Sequence, residues 1–251
     1  MRIDYASLSD RGQIRPKNED AFGAFVPEDA DALDSRGAVF VVADGMGGHR
    51  GGETASSLAI EAVRVGYESH DGSDIASLLL DAFTDANTRI LSKSISDTSL
   101  FGMGTTCTAM VLVAGKAWFA HVGDSRAYLY RDDEIKQITQ DHSLVGDMVR
   151  SGIITDEDAR NHPKRNIITR SLGIQDAVST DTPNSPMTIS VDDTFVLCSD
   201  GLTGCVNEEE IARVIASVID PAQACETLVA MANDRGGRDN ITVQVIRILE
   251  T

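Results

Sequence analysis

Three apolar, β-type runs of this chain end on an aspartate: "VFVVAD" at Asp44, "WFAHVGD" at Asp124 and "TFVLCSD" at Asp200, with a glycine directly after the first and the last. A fourth acid, Asp239, opens the closing stretch "DNITVQV". A carboxylate at the edge of an apolar sheet is costly to desolvate unless it is paired or bound to a cation. Several converging at one edge would also repel one another, so a fold that gathers these strand ends needs positive charge there. Arg126 and Arg238 are nearby basic residues that could neutralise one or two of the acids as salt bridges. An Asp-Gly pair is also an ordinary turn. The repetition, rather than any single acid, points to cations.

The rest of the chain is consistent with a strand-rich frame. Short, β-branched, turn-bounded runs include "IDYASLSD", "AFGAFV", "GTTCTAMVLVAG" and "RAYLYR". Between them "GGETASSLAIEAVRVGYES" and "DIASLLLDAFTDANTRILSKSI" carry apolar residues at helical spacing, and so do "NEEEIARVIASVI" and "PAQACETLVAMANDR". Two helical pairs are therefore inserted among strands. Asn207 before three glutamates predicts a helix cap with acids in the first turn. The stretch from Ser143 to Arg170 is polar and aperiodic and reads as a surface excursion, a feature more often functional than idle. No repeat or low-complexity linker divides the 251 residues, so residues 1–251 are expected to form a single domain with an inserted flap.

Charge narrows the function. Twenty-two basic residues against 39 acidic ones give a net charge of −17, which argues against nucleic acid and anionic lipid as partners. No run approaches a membrane span, and "MRIDYASLSDRG" lacks the apolar core of a signal peptide. Cys107, Cys198, Cys205 and Cys225 form no CxxC pair, and the first two sit inside apolar runs. A cytoplasmic protein with reduced thiols is expected.

Carboxylates, a backbone carbonyl freed by a glycine turn and water suit hard cations such as Mg²⁺ or Mn²⁺. Five scattered histidines without HxH or HExxH spacing argue against zinc. "DADALDSRGAVF" (residues 29–40) starts like a calcium loop but has Asp34 at the sixth position and Phe40 at the twelfth, so it reads as a solvated turn. "GMGGHRGGETAS" has no lysine for a Walker loop, and Asp44 occupies the turn that a dinucleotide fingerprint would need. Its glycines instead let the backbone approach a cation closely and let Gly45 present a carbonyl, while Glu53 reads as simple helix capping. Arg15 in "RPKNED", beside Glu19 and Asp20, offers a planar fork that matches two phosphate oxygens, although taken by itself it reads as a surface residue.

Together "RPKNEDAF", "VVADGMGG", "GTTCTAMVL", "HVGDSRAYLYR", "ITQDHSLV", "NIITRSLG", "LCSDGL" and "GGRDNITVQVI" resemble, in order and from end to end, the metal-dependent Ser/Thr protein phosphatases of type 2C in their bacterial form. The resemblance implies an α+β fold: a four-layer αββα sandwich of two mostly antiparallel sheets flanked by helical pairs, with a flap over residues 143–173. It implies two tight Mn²⁺ or Mg²⁺ sites between the sheets. Asp44 would bridge them, Gly45 would give its carbonyl, Asp200 and Asp239 would hold the second metal, and Glu19 and Asp20 would act through waters or hydrogen bonds. Asp124, together with Asp200, matches a third and weaker site, for which Asp141 is the alternative acid. Arg15 would contact the substrate phosphate. Eukaryotic relatives carry a proposed general acid, a histidine, where this chain has Met46; a coordinated water or His49 could take that part.

The implied activity is hydrolysis of phosphoserine and phosphothreonine on proteins, opposing a Hanks-type Ser/Thr kinase, by a monomer. Two other classes remain in view. One is a phosphoprotein-binding module without turnover, against which stands the presence of Asp44, Asp200 and Asp239. The other is an enzyme acting on small phosphate esters or on one anti-sigma antagonist.

Overall fold

The computed structural model describes residues 1–47, 51–70, 74–183 and 185–251. Two antiparallel sheets form the frame. The first runs β1 (Arg2–Asp10), β11 (Ile241–Glu250), β10 (Thr194–Cys198), β7 (Arg126–Arg131) and β8 (Glu134–Gln137). The second runs β2 (Asp20–Phe25), β3 (Ala38–Met46), β5 (Cys107–Val113), β6 (Lys116–Val122) and β9 (Met187–Thr188), with β4 (Gly104–Thr105) beside β3. Helices α2 (Gly51–Ser69) and α3 (Ile75–Ser96) cover the second sheet, and α7 (Glu208–Ser217) and α8 (Pro221–Asp234) cover the first. The α+β sandwich is as expected.

Continuous apolar runs are explained by burial of both strand faces. Val39, Val41 and Ala43 of β3 pack under α2 and α3, whereas Phe40 and Val42 face the other sheet. On β10, Val196 and Cys198 meet α7 and α8 while Phe195 and Leu197 turn inward. Rings cross the inner layer edge to face, as Tyr5 on Phe40 at 5.2 Å between centroids.

That inner layer changes character along its length. The residues of β11 that face β2 are Ile248 and Ile246 at one end, then Gln244, Thr242 and, just before the strand, Asn240. The period of two that buries isoleucine at one end thus delivers polar side chains to the other, and Asp44, in phase with Phe40 and Val42, arrives among them.

The caps follow the sequence. Asn207 accepts from the Glu210 amide at 3.0 Å while the Glu210 carboxylate accepts from the Asn207 amide at 3.1 Å. One expectation is corrected: the stretch at 29–40, read as a turn, holds α1 (Ala30–Arg36), capped by Asp29 at the Ala32 amide. The same aspartate that imitates a calcium loop is a helix cap. Asp239 stands two residues ahead of β11 rather than on its first residue.

Between β8 and β9 the chain leaves the sheets and forms α4 (Leu144–Arg150) and α5 (Asp156–Arg160). Its two ends meet where Leu144 N donates to Ile167 O at 2.8 Å and Thr169 N to His142 O at 2.8 Å.

Candidate active site

Asp44 and Asp20 are directly opposed partners in the β2–β3 ladder. The backbone of Asp44 is fixed on its other side: its amide donates to Thr106 Oγ1 at 2.9 Å and its carbonyl accepts from Thr106 N at 2.9 Å. The next residue must be glycine. A Cβ on Gly45 would stand 2.2 Å from Gly52 O and 2.5 Å from Glu19 O, so only a bare backbone fits where β3, α2 and the loop before β2 close on one another.

Asp200 begins the short helix α6 (Asp200–Thr203) at the end of β10. Ser199, at that helix's cap position, turns its hydroxyl elsewhere: it donates to Asp20 Oδ2 at 2.8 Å, and Thr242 donates to the same oxygen at 2.7 Å. Asn240 ties the neighbouring loop down. Its amide nitrogen donates to Arg11 O and Lys17 O, both at 2.8 Å, and its oxygen accepts from Glu19 N at 2.8 Å. The loop carrying Arg15 is thereby fastened to the residue after Asp239. Arg15 Nη2 donates to Asp239 Oδ2 at 2.6 Å.

The structure therefore brings Asp20, Asp44, Asp124, Asp200 and Asp239 into one electrostatic cluster, each acting on Asp44. Burial, followed by repulsion from these neighbours, pushes the Asp44 carboxyl well above the usual carboxylate range. Burial likewise raises Asp20 to about 7, opposed by the Thr242 and Ser199 hydroxyls, and raises Asp200 to about 6. Asp44 and Asp200 stand close enough to share a proton. Asp20 Oδ1, Asp124 Oδ1 and Asp200 Oδ1 are buried with no hydrogen-bond partner among the described residues. Unpartnered carboxylate oxygens are costly, and a hard cation is the group that would satisfy them.

Among the described residues no three acidic, histidine or cysteine side chains already form a ligand set. Asp239 is held by Arg15, and Asp44 hydrogen-bonds Asp200. The donors fit Mg²⁺ or Mn²⁺ by chemistry: oxygen only, anionic, and starved of protons to accept.

The two candidates for a third site differ. Asp141 is spent, since Arg126 grips it from Nε at 2.9 Å and Nη2 at 2.7 Å and Gln137 adds a donor at 2.9 Å. Asp124 keeps its free Oδ1. Arg126 thus neutralises Asp141 instead of a strand-end acid; that part falls to Arg15. Met46 closes β3, and His49 lies outside the described residues. A cleft of about 900 Å³ leads from Asp124 and Asp200 between the 143–173 excursion and α7, with Arg160 and Arg165 on one wall and Glu208 on the other.

Ser199, Thr242 and Asn240 were not singled out by sequence reasoning. For Asn240 and Thr242 the signal was present in "NITVQV", where polar residues recur every second position in an otherwise apolar strand; Ser199, between Cys198 and Asp200, carried none.

Comparison with known proteins identifies the family and the fold. Residues 16–234 match the family model Protein phosphatase 2C, and the chain belongs to that family. It is 38% identical over 242 residues to the serine/threonine phosphatase stp of Listeria innocua, covering 95% of this chain and 93% of that protein. The crystal structure of the Mycobacterium tuberculosis serine/threonine phosphatase PstP/Ppp superposes with a TM-score of 0.88 at 36% identity, covering 99% of each chain. A structure of the PstP catalytic domain in complex with two manganese ions gives 0.85 at 34% identity, again covering 99% of each chain.

Proposed function

We propose that this chain hydrolyses phosphoserine and phosphothreonine on proteins at the carboxylate cluster, as one catalytic domain over residues 1–251 with a flap at 143–173. The observation that carries the reading is the set of buried aspartates with unpartnered oxygens at the strand ends, in a chain similar to a phosphatase domain described with two manganese ions.

Asp44, Asp200, Asp239 and the carbonyl of Gly45 would hold two divalent cations. Mn²⁺ or Mg²⁺ held there would acidify water and set positive charge against the phosphoryl oxygens. Arg15, freed from Asp239 once that acid serves a cation, would take the phosphate with its planar fork. Asp20, oriented by Ser199 and Thr242, and Glu19, fixed through its amide by Asn240, would align waters around the site. No carboxylate needs to become phosphorylated, because water rather than a side chain would be the nucleophile. Met46 cannot protonate the departing serine or threonine oxygen. Asp124, with Asp200, is the proposed holder of a third and weaker metal, favoured over Asp141 by its free oxygen.

The reading extends to a cognate Ser/Thr kinase whose products this enzyme reverses, and to a cytoplasmic monomer. Among the described residues no helix is long and apolar enough to cross a membrane.

The test is phosphate release from a phosphothreonine peptide by metal-stripped protein given Mn²⁺, Mg²⁺, Ca²⁺ or EDTA. Release restored by Mn²⁺ or Mg²⁺ alone is expected. Silence under all four conditions from folded protein would replace the enzyme with a phosphoprotein-binding module.

A further inference from the structure

His142 is 1% exposed, at the start of the 143–173 excursion, and meets three parts of the chain. Its Nδ1 accepts from the Gly123 amide at 3.1 Å, and its own amide donates to Gly123 O at 2.7 Å, so both polar groups of Gly123 are held by one residue. An N–H pointing at Nδ1 leaves the ring proton on Nε2, which lies 3.0 Å from Asp181 Oδ2. Arg170 Nη1 donates to the other oxygen of Asp181 at 2.9 Å and lies 3.2 Å from Nε2 itself; with the Gly123 amide occupying Nδ1, the Nε2 proton goes to Asp181 and the guanidinium is held by the carboxylate. The carbonyl of His142 accepts from Thr169. A second buried imidazole, His121, packs on the first with centroids 4.8 Å apart, and its backbone exchanges both hydrogen bonds with Asp181.

Gly123 precedes Asp124. Its φ of +116° is open to glycine alone, and a Cβ there would meet Thr106 at 2.5 Å. Asp124 has an oxygen with no side-chain or backbone partner among the described residues. The aim of its carboxylate is therefore set by the backbone of this turn, and that backbone is held by His142.

We propose that His142 is a positioning residue: its imidazole, oriented by Asp181, fixes the Gly123 peptide and through it the Asp124 carboxylate, so that the seating of the 143–173 excursion and the aim of Asp124 are set by one side chain. The aspartate–histidine–amide relay matches the way outer partners orient the ligands of a metal site. It deepens the phosphatase reading and depends on it only where turnover is measured.

The experiment compares wild type with His142→Gln, Asp181→Asn, Asp124→Ala and the double variant His142→Gln/Asp124→Ala, each as the full chain. Glutamine can reach the Nε2 position but not that of Nδ1. In metal-stripped protein, amide exchange of the segment 120–125 is expected to quicken about tenfold in His142→Gln with the core of β3 unchanged. The Mn²⁺ concentration for half-maximal turnover of a small phosphate ester is expected to rise about tenfold in His142→Gln and in Asp181→Asn, with KM for the ester unchanged. In the Asp124→Ala background, His142→Gln should add less than about a twofold change, because the two residues act as one.

Unchanged exchange at 120–125, or substitutions whose effects multiply, would overturn the proposal. Should His142→Gln fail to fold, Asp181→Asn, at a side chain 44% exposed, takes its place in all three measurements. If wild type turns over no ester with any metal, the phosphatase reading falls, and the exchange measurement alone decides whether His142 holds the turn.

Discussion

Arg15 donates to Asp239 at 2.6 Å across 224 positions of sequence, joining the loop before β2 to the loop before β11 at the rim of the acidic cluster. Both side chains are partly exposed, at 49% and 30%, so the pair itself adds little to stability. In the proposed function the Arg15 guanidinium would meet the substrate phosphate. Arg15→Ala should raise KM for a phosphothreonine peptide about tenfold, equivalent to ~1.4 kcal/mol, with a smaller change in kcat. Steady-state kinetics at fixed Mn²⁺ checks this; an unchanged KM removes the phosphate contact.

Gly45 admits no side chain, because Gly52 O and Glu19 O already lie inside the radius of a methyl group. Gly45→Ala should cost about 3 kcal/mol in urea unfolding of the metal-free protein, at the upper end of overpacking effects. A loss within experimental error would show that β3 and α2 can move apart, and that the carbonyl of Gly45 is not rigidly placed.

Folded metal-free protein carries Asp20 at about 7 and Asp200 at about 6 because both are buried among like charges. These values lie above the ~3.9 of an unfolded aspartate, so the fold is favoured by protonation. That contribution is complete below about pH 4 and is lost as pH rises through 6 and 7. Glu210, held down to about 2 mainly by Arg235, stays ionised across this window; His121, pushed down to about 4 by burial, opposes the effect below about pH 6.5 but is one group against the buried carboxyls. Tm of the metal-stripped protein should therefore be higher at about pH 5.5 than at about pH 8, and saturating Mn²⁺ should remove or reverse the difference. A Tm that rises with pH without metal would contradict the coupled, buried carboxyls.

Asp124→Ala should slow turnover while leaving the two tight metals in place, read by calorimetric counting of bound Mn²⁺. Loss of a tight metal would move Asp124 into the binuclear set.

The parts of this architecture that the sequence made legible are local. Periodicity marked the four helices at 51–69, 75–96, 208–217 and 221–234 because each buries one stripe. The acids at 44, 124 and 200 stood out because each ends an apolar strand, where a charge is least expected. Partners distant in the chain were not legible. Arg126 was the obvious counter-ion for a strand-end acid, yet it grips Asp141, while Arg15 crosses to Asp239. Nothing in "HVGD" and "QDHS" alone tells that the histidine of the second holds the glycine of the first; the return of the loop after β8 to the end of β6 decides it. The helix at Ala30–Arg36 was hidden by aspartates that suit a turn as well as a cap.

In the proposed function the strand-end aspartates are there to hold cations. Calorimetric titration of metal-stripped protein with Mn²⁺, for wild type and Asp44→Asn, tests it most directly. Two tight sites are expected in wild type, with protons released as Asp20, Asp44 and Asp200 ionise, and loss of tight binding in Asp44→Asn. Equal stoichiometry and affinity in both proteins would contradict it.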